Sequence, residues 1–156
     1  MARKTSSLEP KPLPDIDCAC ATIRRAARVV TQLYAEELSP RLEATQFALL
    51  SILGARPGCN QVTIGRALAF DKTTLSRNLK LLKANGWIEV QPAEDLRDRG
   101  YRLTAAGKDV LHTAKPGWKR AQGRLRGSMT PAEWDVMWKG LRILTQAAQS
   151  ARRRYD

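Results

Sequence analysis

The amino-acid sequence predicts a mainly α-helical protein interrupted by one small β-hairpin. Three observations carry that expectation. Apolar residues recur at helical spacing over most of the 156 residues, and strand-like runs are confined to Trp87–Val90 and Tyr101–Leu103. Residues suited to helix ends bracket the helical runs: Asp71, Thr104 and Thr130 at starts, Asn85-Gly86 at a finish. In the middle of the chain, two short helical runs are joined by a tight turn and the second has a polar outer face, which describes a helix-turn-helix.

Residues 1–14 hold prolines, lysines, an arginine and serines without apolar period, and read as a flexible basic arm. Residues 15–40 form a first helix, because Ile16, Cys20, Ile23, Ala27, Val30 and Tyr34 share a stripe that Arg24, Arg25 and Arg28 avoid. A second helix over 44–54 is dense in Phe47, Leu49, Leu50, Ile52 and Leu53 and should be largely buried, ending at Arg56-Pro57-Gly58. A third is expected over 63–69, with Cys59 on the loop before it. Then comes Asp71 to Gly86, DKTTLSRNLKLLKANG.

At about 100° per residue, that stretch carries Leu75, Leu79 and Leu82 along one stripe. Thr73, Arg77 and Lys80 lie opposite, flanked by Thr74 and Ser76. A front of hydroxyls and cations suits a DNA major groove; taken alone, the stretch also suits an ordinary amphipathic surface helix. The neighbouring residues favour the groove. The strands Trp87–Val90 and Tyr101–Leu103 flank a charged loop over 92–99, making a wing whose tip offers Arg97 and Arg99 to a minor groove, with Asp95 and Asp98 placed to orient them. Residues 41–104 thus form a winged helix-turn-helix core.

Residues 105–156 supply two further helices. Thr104 can cap the first, whose apolar positions include Val110, Leu111, Ala114, Trp118 and Ala121, and which Pro116-Gly117 should kink or weaken. The last opens with Thr130-Pro131-Ala132-Glu133, a cap, a first-position proline and a reciprocal glutamate, and continues with Trp134, Met137, Trp138, Leu141, Leu144 and Ala148 on one stripe. Either these terminal helices fold back on their own core, or two copies pack them together. The second arrangement would set two recognition helices about 34 Å apart, one DNA turn.

A formal charge of +12 calls for a polyanionic partner, and nucleic acid or an anionic membrane would both satisfy it. No apolar run approaches the roughly 20 residues of a membrane span, and the amino terminus lacks the apolar core of a secretory signal, so a cytoplasmic location is expected. A phosphate-cradling glycine loop, an HExxH pair and a nucleophile elbow are all missing, so no enzyme activity is expected. The serious rival to a sequence-specific regulator is a non-specific architectural DNA-binding protein.

The order of these features resembles the MarR family of bacterial transcription regulators over roughly residues 18–150. The resemblance rests on Asp71-Lys72-Thr73-Thr74-Leu75-Ser76-Arg77 leading to Gly86-Trp87-Ile88, on the wing Asp95-Leu96-Arg97-Asp98-Arg99, and on Leu103-Thr104-Ala105-Ala106-Gly107. It implies a triangular homodimer that represses promoters at palindromic sites on double-stranded DNA and is released by a small ligand or by cysteine oxidation. It also implies that Thr73, Thr74, Ser76 and Arg77 face bases and nearby phosphates and that Arg97 enters the minor groove. Chemistry adds Arg77 as the candidate for bidentate guanine contact, with Lys72 and Lys80 as phosphate contacts.

No cofactor is required by this reading, but an effector is expected, and two locations offer themselves. Cys18 and Cys20 sit in the first turn of the first helix, where free backbone amides favour a thiolate while Asp15 and Asp17 oppose it. They are candidates for oxidation or for a thiophilic metal or metalloid; Cys20 is equally readable as a buried interface cysteine. The run Cys20-Ala21-Thr22-Ile23 to Arg28, then Leu33-Tyr34, is similar to the peroxide-sensing branch of the family, but Ala44-Thr45-Gln46-Phe47 lacks that branch's activating tyrosines. If the thiols are structural, a small aromatic ligand is expected near Tyr34, Phe47 and Trp118. His112, the sole histidine, supports no zinc site of the usual kind.

Overall fold

A computed structural model describes residues 17–38, 42–91 and 99–153. The basic arm, the wing tip with Arg97, and the last of the carboxy-terminal arginines lie outside the described residues. The elements run α1 (Ala19–Glu37), α2 (Ala44–Ala55), β1 (Cys59–Asn60), α3 (Gln61–Leu68), α4 (Lys72–Ala84), β2 (Ile88–Val90), β3 (Gly100–Leu103), α5 (Ala105–Gly127) and α6 (Pro131–Arg152).

Because α2 is apolar nearly all round, it can be satisfied only at the centre. Leu49, Leu50 and Leu53 are fully buried there, in one cluster with Ile64 of α3 and Leu75 and Leu82 of α4. Its amino terminus closes with a reciprocal capping box between Glu43 and Gln46, which explains why Gln46 is a buried polar residue. Leu38 and Leu42, on either side of the α1–α2 connection, extend the same core.

The sheet has three antiparallel strands in the order β1-β3-β2, with Ile88 opposite Leu103 and Cys59 opposite Tyr101. Cys59 therefore belongs to a strand and not to a loop. With only two residues, β1 shows no period of its own; it exists because β3 offers it an edge. The same shift brings α3 forward to Gln61, where the Asn60 side-chain oxygen Oδ1 accepts the Thr63 N–H at 2.9 Å. At the other end of α3, Ala69 adopts a left-handed conformation with φ of 53°. This turn aims α4.

One joint registers α4, the hairpin and α5. α4 ends in a Schellman motif: the Trp87 N–H donates to the Leu82 carbonyl at 3.0 Å, the Gly86 N–H donates to the Lys83 carbonyl at 2.9 Å, and Gly86 is left-handed at φ 70°. The Thr104 hydroxyl donates to the Gly86 carbonyl at 2.6 Å and accepts the Gly107 N–H at 3.0 Å, while the Thr104 N–H donates to the Trp87 carbonyl at 3.1 Å. Gly107 lies so close to the Trp87 backbone that a Cβ there would collide with its carbonyl.

Pro116-Gly117 does not interrupt α5, which is continuous from Ala105 to Gly127. α1 crosses the helix there. A Cβ on Gly117 would strike the Glu37 carbonyl, and just beyond, Arg120 and Arg124 bond to Glu37 at 2.8 and 3.0 Å. Those two guanidinium groups, Arg120 first, hold the Glu37 carboxyl below its usual range.

α6 forms with the expected capping box, Glu133 donating its N–H to the Thr130 hydroxyl at 3.3 Å and accepting the Thr130 N–H at 2.8 Å. It does not fold back on the core. None of its residues is buried, and Val136, Trp138, Leu141 and Ile143 are 69%, 44%, 45% and 56% exposed. α1 packs on α5 with one side only, leaving Ile23, Val29 and Val30 open.

Opposite effects on stability are expected at two of these positions. Ala69→Gly removes a left-handed strain and should stabilise the chain by about 1 kcal/mol. Gly107→Val places side chain against backbone at the joint and should destabilise it by at least about 2 kcal/mol. Urea denaturation followed by circular dichroism measures both.

Candidate nucleic-acid interface

α4 displays its polar front as the leucine stripe requires. Leu75, Leu79 and Leu82 are buried against the core, so the opposite side of the helix must face solvent, and Lys72, Thr73, Ser76, Arg77 and Lys80 are all exposed. Among the described residues none of these five side chains has a hydrogen-bond or salt-bridge partner within the protein. Such groups are held out in water, free to exchange hydration for bases and phosphates.

Thr74 stands apart from them. It is half-buried, and its hydroxyl donates to Asp71 Oδ2 at 2.6 Å while its N–H donates to Asp71 Oδ1 at 2.8 Å. These two bonds, the hydroxyl first, hold the Asp71 carboxyl below its usual range. The helix start is thus capped by a carboxylate that suits the macrodipole. Its cost is that the Thr74 hydroxyl, expected at the DNA surface, is committed to the cap. Asn78 likewise turns inward, donating to the Thr74 carbonyl at 2.9 Å.

The turn at Ala69 folds α3 beside α4, and β3 closes the third side of a groove of about 670 Å³. Arg66, Lys72 and Arg99 bring three cations to it, with Val62, Phe70 and Tyr101 as apolar walls. Arg66 is a cation that the sequence pattern did not single out. The available signal was its place two residues from the buried Ile64, which puts it on the outer face of α3. Arg99, expected at the wing tip, lines this groove, and Leu81, one turn beyond Arg77, adds an apolar group 45% exposed.

The expected effector residues divide into two sets, far apart in kind. Tyr34, Phe47 and Trp118 do come together, at the junction of α1, α2 and α5: the Phe47 and Trp118 rings stack with centroids 5.9 Å apart at 18°, and the Tyr34 hydroxyl donates to Gln122 Oε1. All three pack against the core, and burial raises the Tyr34 phenol above its usual range. Cys18 and Cys20 are exposed at the start of α1, Cys18 as the cap residue without a side-chain cap bond. Among the described residues no three histidine, cysteine or acidic side chains gather as a metal cluster. His112 is exposed on α5.

Comparison with known proteins agrees with this geometry. Residues 42–98, the core of the helix-turn-helix and wing, match a model described as MarR family. The chain is 28% identical over 104 residues to the transcriptional regulator HosA of Escherichia coli, covering 66% of this chain and 77% of that protein. The M. tuberculosis transcriptional regulator MosR in complex with DNA superposes with a TM-score of 0.79 at 32% identity, covering 87% of this chain and 99% of that one. The PcaV transcriptional regulator from Streptomyces coelicolor, in complex with its natural ligand, has the same fold, with a TM-score of 0.77 at 22% identity over 87% of this chain and 99% of that one. With its winged core, its helix order and this likeness over nearly the whole of MosR, the chain belongs to the MarR family of transcription regulators.

Proposed function

We propose that this protein is a homodimeric transcriptional repressor that binds a palindromic operator on double-stranded DNA. The observation that carries the reading is the uncovered front of α4, where Thr73, Ser76, Arg77 and Lys80 share one solvent-facing side with Lys72, Arg66 and Arg99 around it. Arg77 has the reach and the planar fork for guanine; Lys72, Lys80, Arg66 and Arg99 supply phosphate contacts. Thr74 acts indirectly, by holding the Asp71 cap that sets the angle of the helix. The DNA-bound state of MosR supports this use of the fold.

What one copy leaves uncovered supports dimerisation. The apolar faces of α1 and α6 are too extensive for a chain with +12 charge to keep in water, and a second copy related by a two-fold axis would bury both. Among the described residues no helix is long and apolar enough to cross a membrane. Action on chromosomal DNA would put the protein in the cytoplasm.

Release from DNA is assigned to one of the two sets of effector residues. A small aromatic ligand would enter at the Tyr34, Phe47 and Trp118 junction, where dimerisation helix α1 meets α2 of the core, so that binding shifts one against the other. Oxidation of Cys18 or Cys20, or capture of a thiophilic metal or metalloid with ligands from both copies, would act at the free end of α1.

Gel-shift and fluorescence-anisotropy titrations test the reading. A palindromic operator should bind about 10³-fold or more tightly than random DNA, which an architectural protein would not do. Arg77→Ala should lose about 1–3 kcal/mol and relax the preference at one base position, whereas Lys80→Ala should weaken all sequences alike and flatten the salt dependence. Cys18→Ser and Cys20→Ser proteins, challenged with oxidant or metalloid, separate the two release mechanisms: operator release that persists unchanged in both eliminates the thiols.

A further inference from the structure

The cations of α5 fall into two groups. Arg120 and Arg124 turn toward α1, where the carboxylates of Glu36 and Glu37 bond to them at 2.8 to 3.0 Å. Lys108, Lys115 and Lys119 do not. With His112 they follow one another at i, i+4, i+7 and i+11, which at about 100° per residue confines all four to one narrow stripe of the helix. All four are exposed, and among the described residues none of the three lysines has an ion-pair partner. Asp109, the single acid of α5, stands about 100° round the helix from Lys108.

The stripe faces outward by necessity. Leu111 and Ala114 of α5 enter the same core cluster as Leu75, Leu79 and Leu82 of α4, so each helix presents its polar side away from one shared core. The front of α4 and the stripe of α5 are therefore two cationic faces on two helices. From Lys108 to Lys119 the stripe runs about 16 Å along a straight helix, at about 1.5 Å per residue. A duplex carries a negative charge for about every 1.7 Å of its axis, so a line of phosphates accompanies the whole stripe.

We propose that the α5 stripe is a second duplex-binding face, on which Lys108, Lys115 and Lys119 hold the phosphate backbone of a DNA segment other than the one on α4. The first segment rests on the reading of α4 given above; the second rests on the stripe alone. Its composition favours a duplex backbone over other polyanions. Ammonium groups are point charges suited to phosphate oxygens, and His112 adds an N–H donor among them. The exposed positions of α5 between 108 and 119 hold no Trp, Tyr, Phe, Leu, Ile or Val. There is thus no ring to stack an unpaired base and no apolar anchor for a membrane or an amphipathic peptide. Backbone contacts carry no sequence information, so the second segment is held by charge, and the protein bridges two duplexes.

The test is co-capture by the full-length chain at low salt. A short biotinylated duplex is fixed to beads, protein is added, and retention of a second, fluorescent duplex is measured. Lys108→Gln, Lys115→Gln and Lys119→Gln, made together, should lower that retention at least about tenfold, because three phosphate contacts are lost. Arg24→Gln, Arg25→Gln and Arg28→Gln on α1 remove the same charge elsewhere. This control should retain the second duplex as the parent does, and both variants should bind the first duplex alike. Replacing the same three lysines by arginine keeps the charge and should keep the bridging; circular dichroism melts report that each variant is folded. The proposal is overturned if the glutamine variant of α5 retains the second duplex as the parent does, which is the result expected if the α4 helices of two copies do the bridging. Equal loss in the α1 control overturns it too, as does displacement of the second duplex by polyglutamate at lower concentration than by competitor duplex, which would assign the stripe to an acidic protein segment. A parent that is captured by the first duplex but retains no second contradicts the stripe alone. A parent that is not captured at all contradicts the reading of α4 as well.

Discussion

The carbonyls of Gly86 and Trp87 are where the halves of this molecule are held in register. α4 must stop there for the wing to begin, and the Thr104 hydroxyl and N–H reach back to the same two carbonyls from the start of α5. Because Gly107 lets α5 lie directly on the Trp87 backbone, the long helix that leads to α6 cannot turn without moving the foot of the recognition helix. A displacement of α1 or α6 would therefore reach α4 through backbone contacts, which yield less than side chains. This joint also explains why the short fragments around Gly86-Trp87-Ile88 and Thr104–Gly107, distant in sequence, carry the resemblance to a family: they are one structure.

The single chain leaves two different debts to its surroundings. Among the described residues its cations on α3 and on the front of α4 have no ion-pair partner, a state that costs little until a polyanion arrives and releases counterions. The open valines, isoleucines, leucine and tryptophan of α1 and α6 are the opposite case, a standing cost in water at roughly 25 cal/mol per Å² that only another apolar surface removes. Arg126 stacked 5.0 Å over Trp134, and Trp134 edge-on to Trp138, stiffen the α5–α6 corner from which that surface projects. On the proposed function, DNA recognition and association would draw on separate faces and on separate forces. Ionic strength should act chiefly on the first and temperature chiefly on the second.

Most of the helical frame was legible in the residues, and for local reasons. Asp71 and Thr130 announce their helices because capping needs only a short polar side chain and the next turn's amides, and the leucines at 75, 79 and 82 define a buried stripe wherever the helix is placed. The features that stayed hidden depend on neighbours distant in sequence. β1 has two residues and no pattern, and is a strand only because β3 lies alongside; with Asn60 as its cap, α3 consequently begins at Gln61, two residues before the expected start. Pro116-Gly117 reads as a break, yet the helix is continuous and the glycine leaves room for α1 to cross. At the DNA face, the exposed cations of α4 followed from periodicity. The diversion of Thr74 into the cap did not, since a threonine three residues after an aspartate can serve either the helix or the groove. Arg66 escaped notice because its importance comes from the turn at Ala69, which folds α3 beside α4.

Two copies of α4, held apart by α1, α5 and α6, would read one symmetric DNA sequence, and every other part of the functional reading depends on that. Selection of bound duplexes from a random library by the purified full-length chain, followed by sequencing, tests it without assuming an operator. The expected result is an enriched inverted repeat whose half-sites are centred about 10 base pairs apart, one helical turn. Enrichment of a single unrepeated half-site, or no enrichment over the starting library, would contradict it.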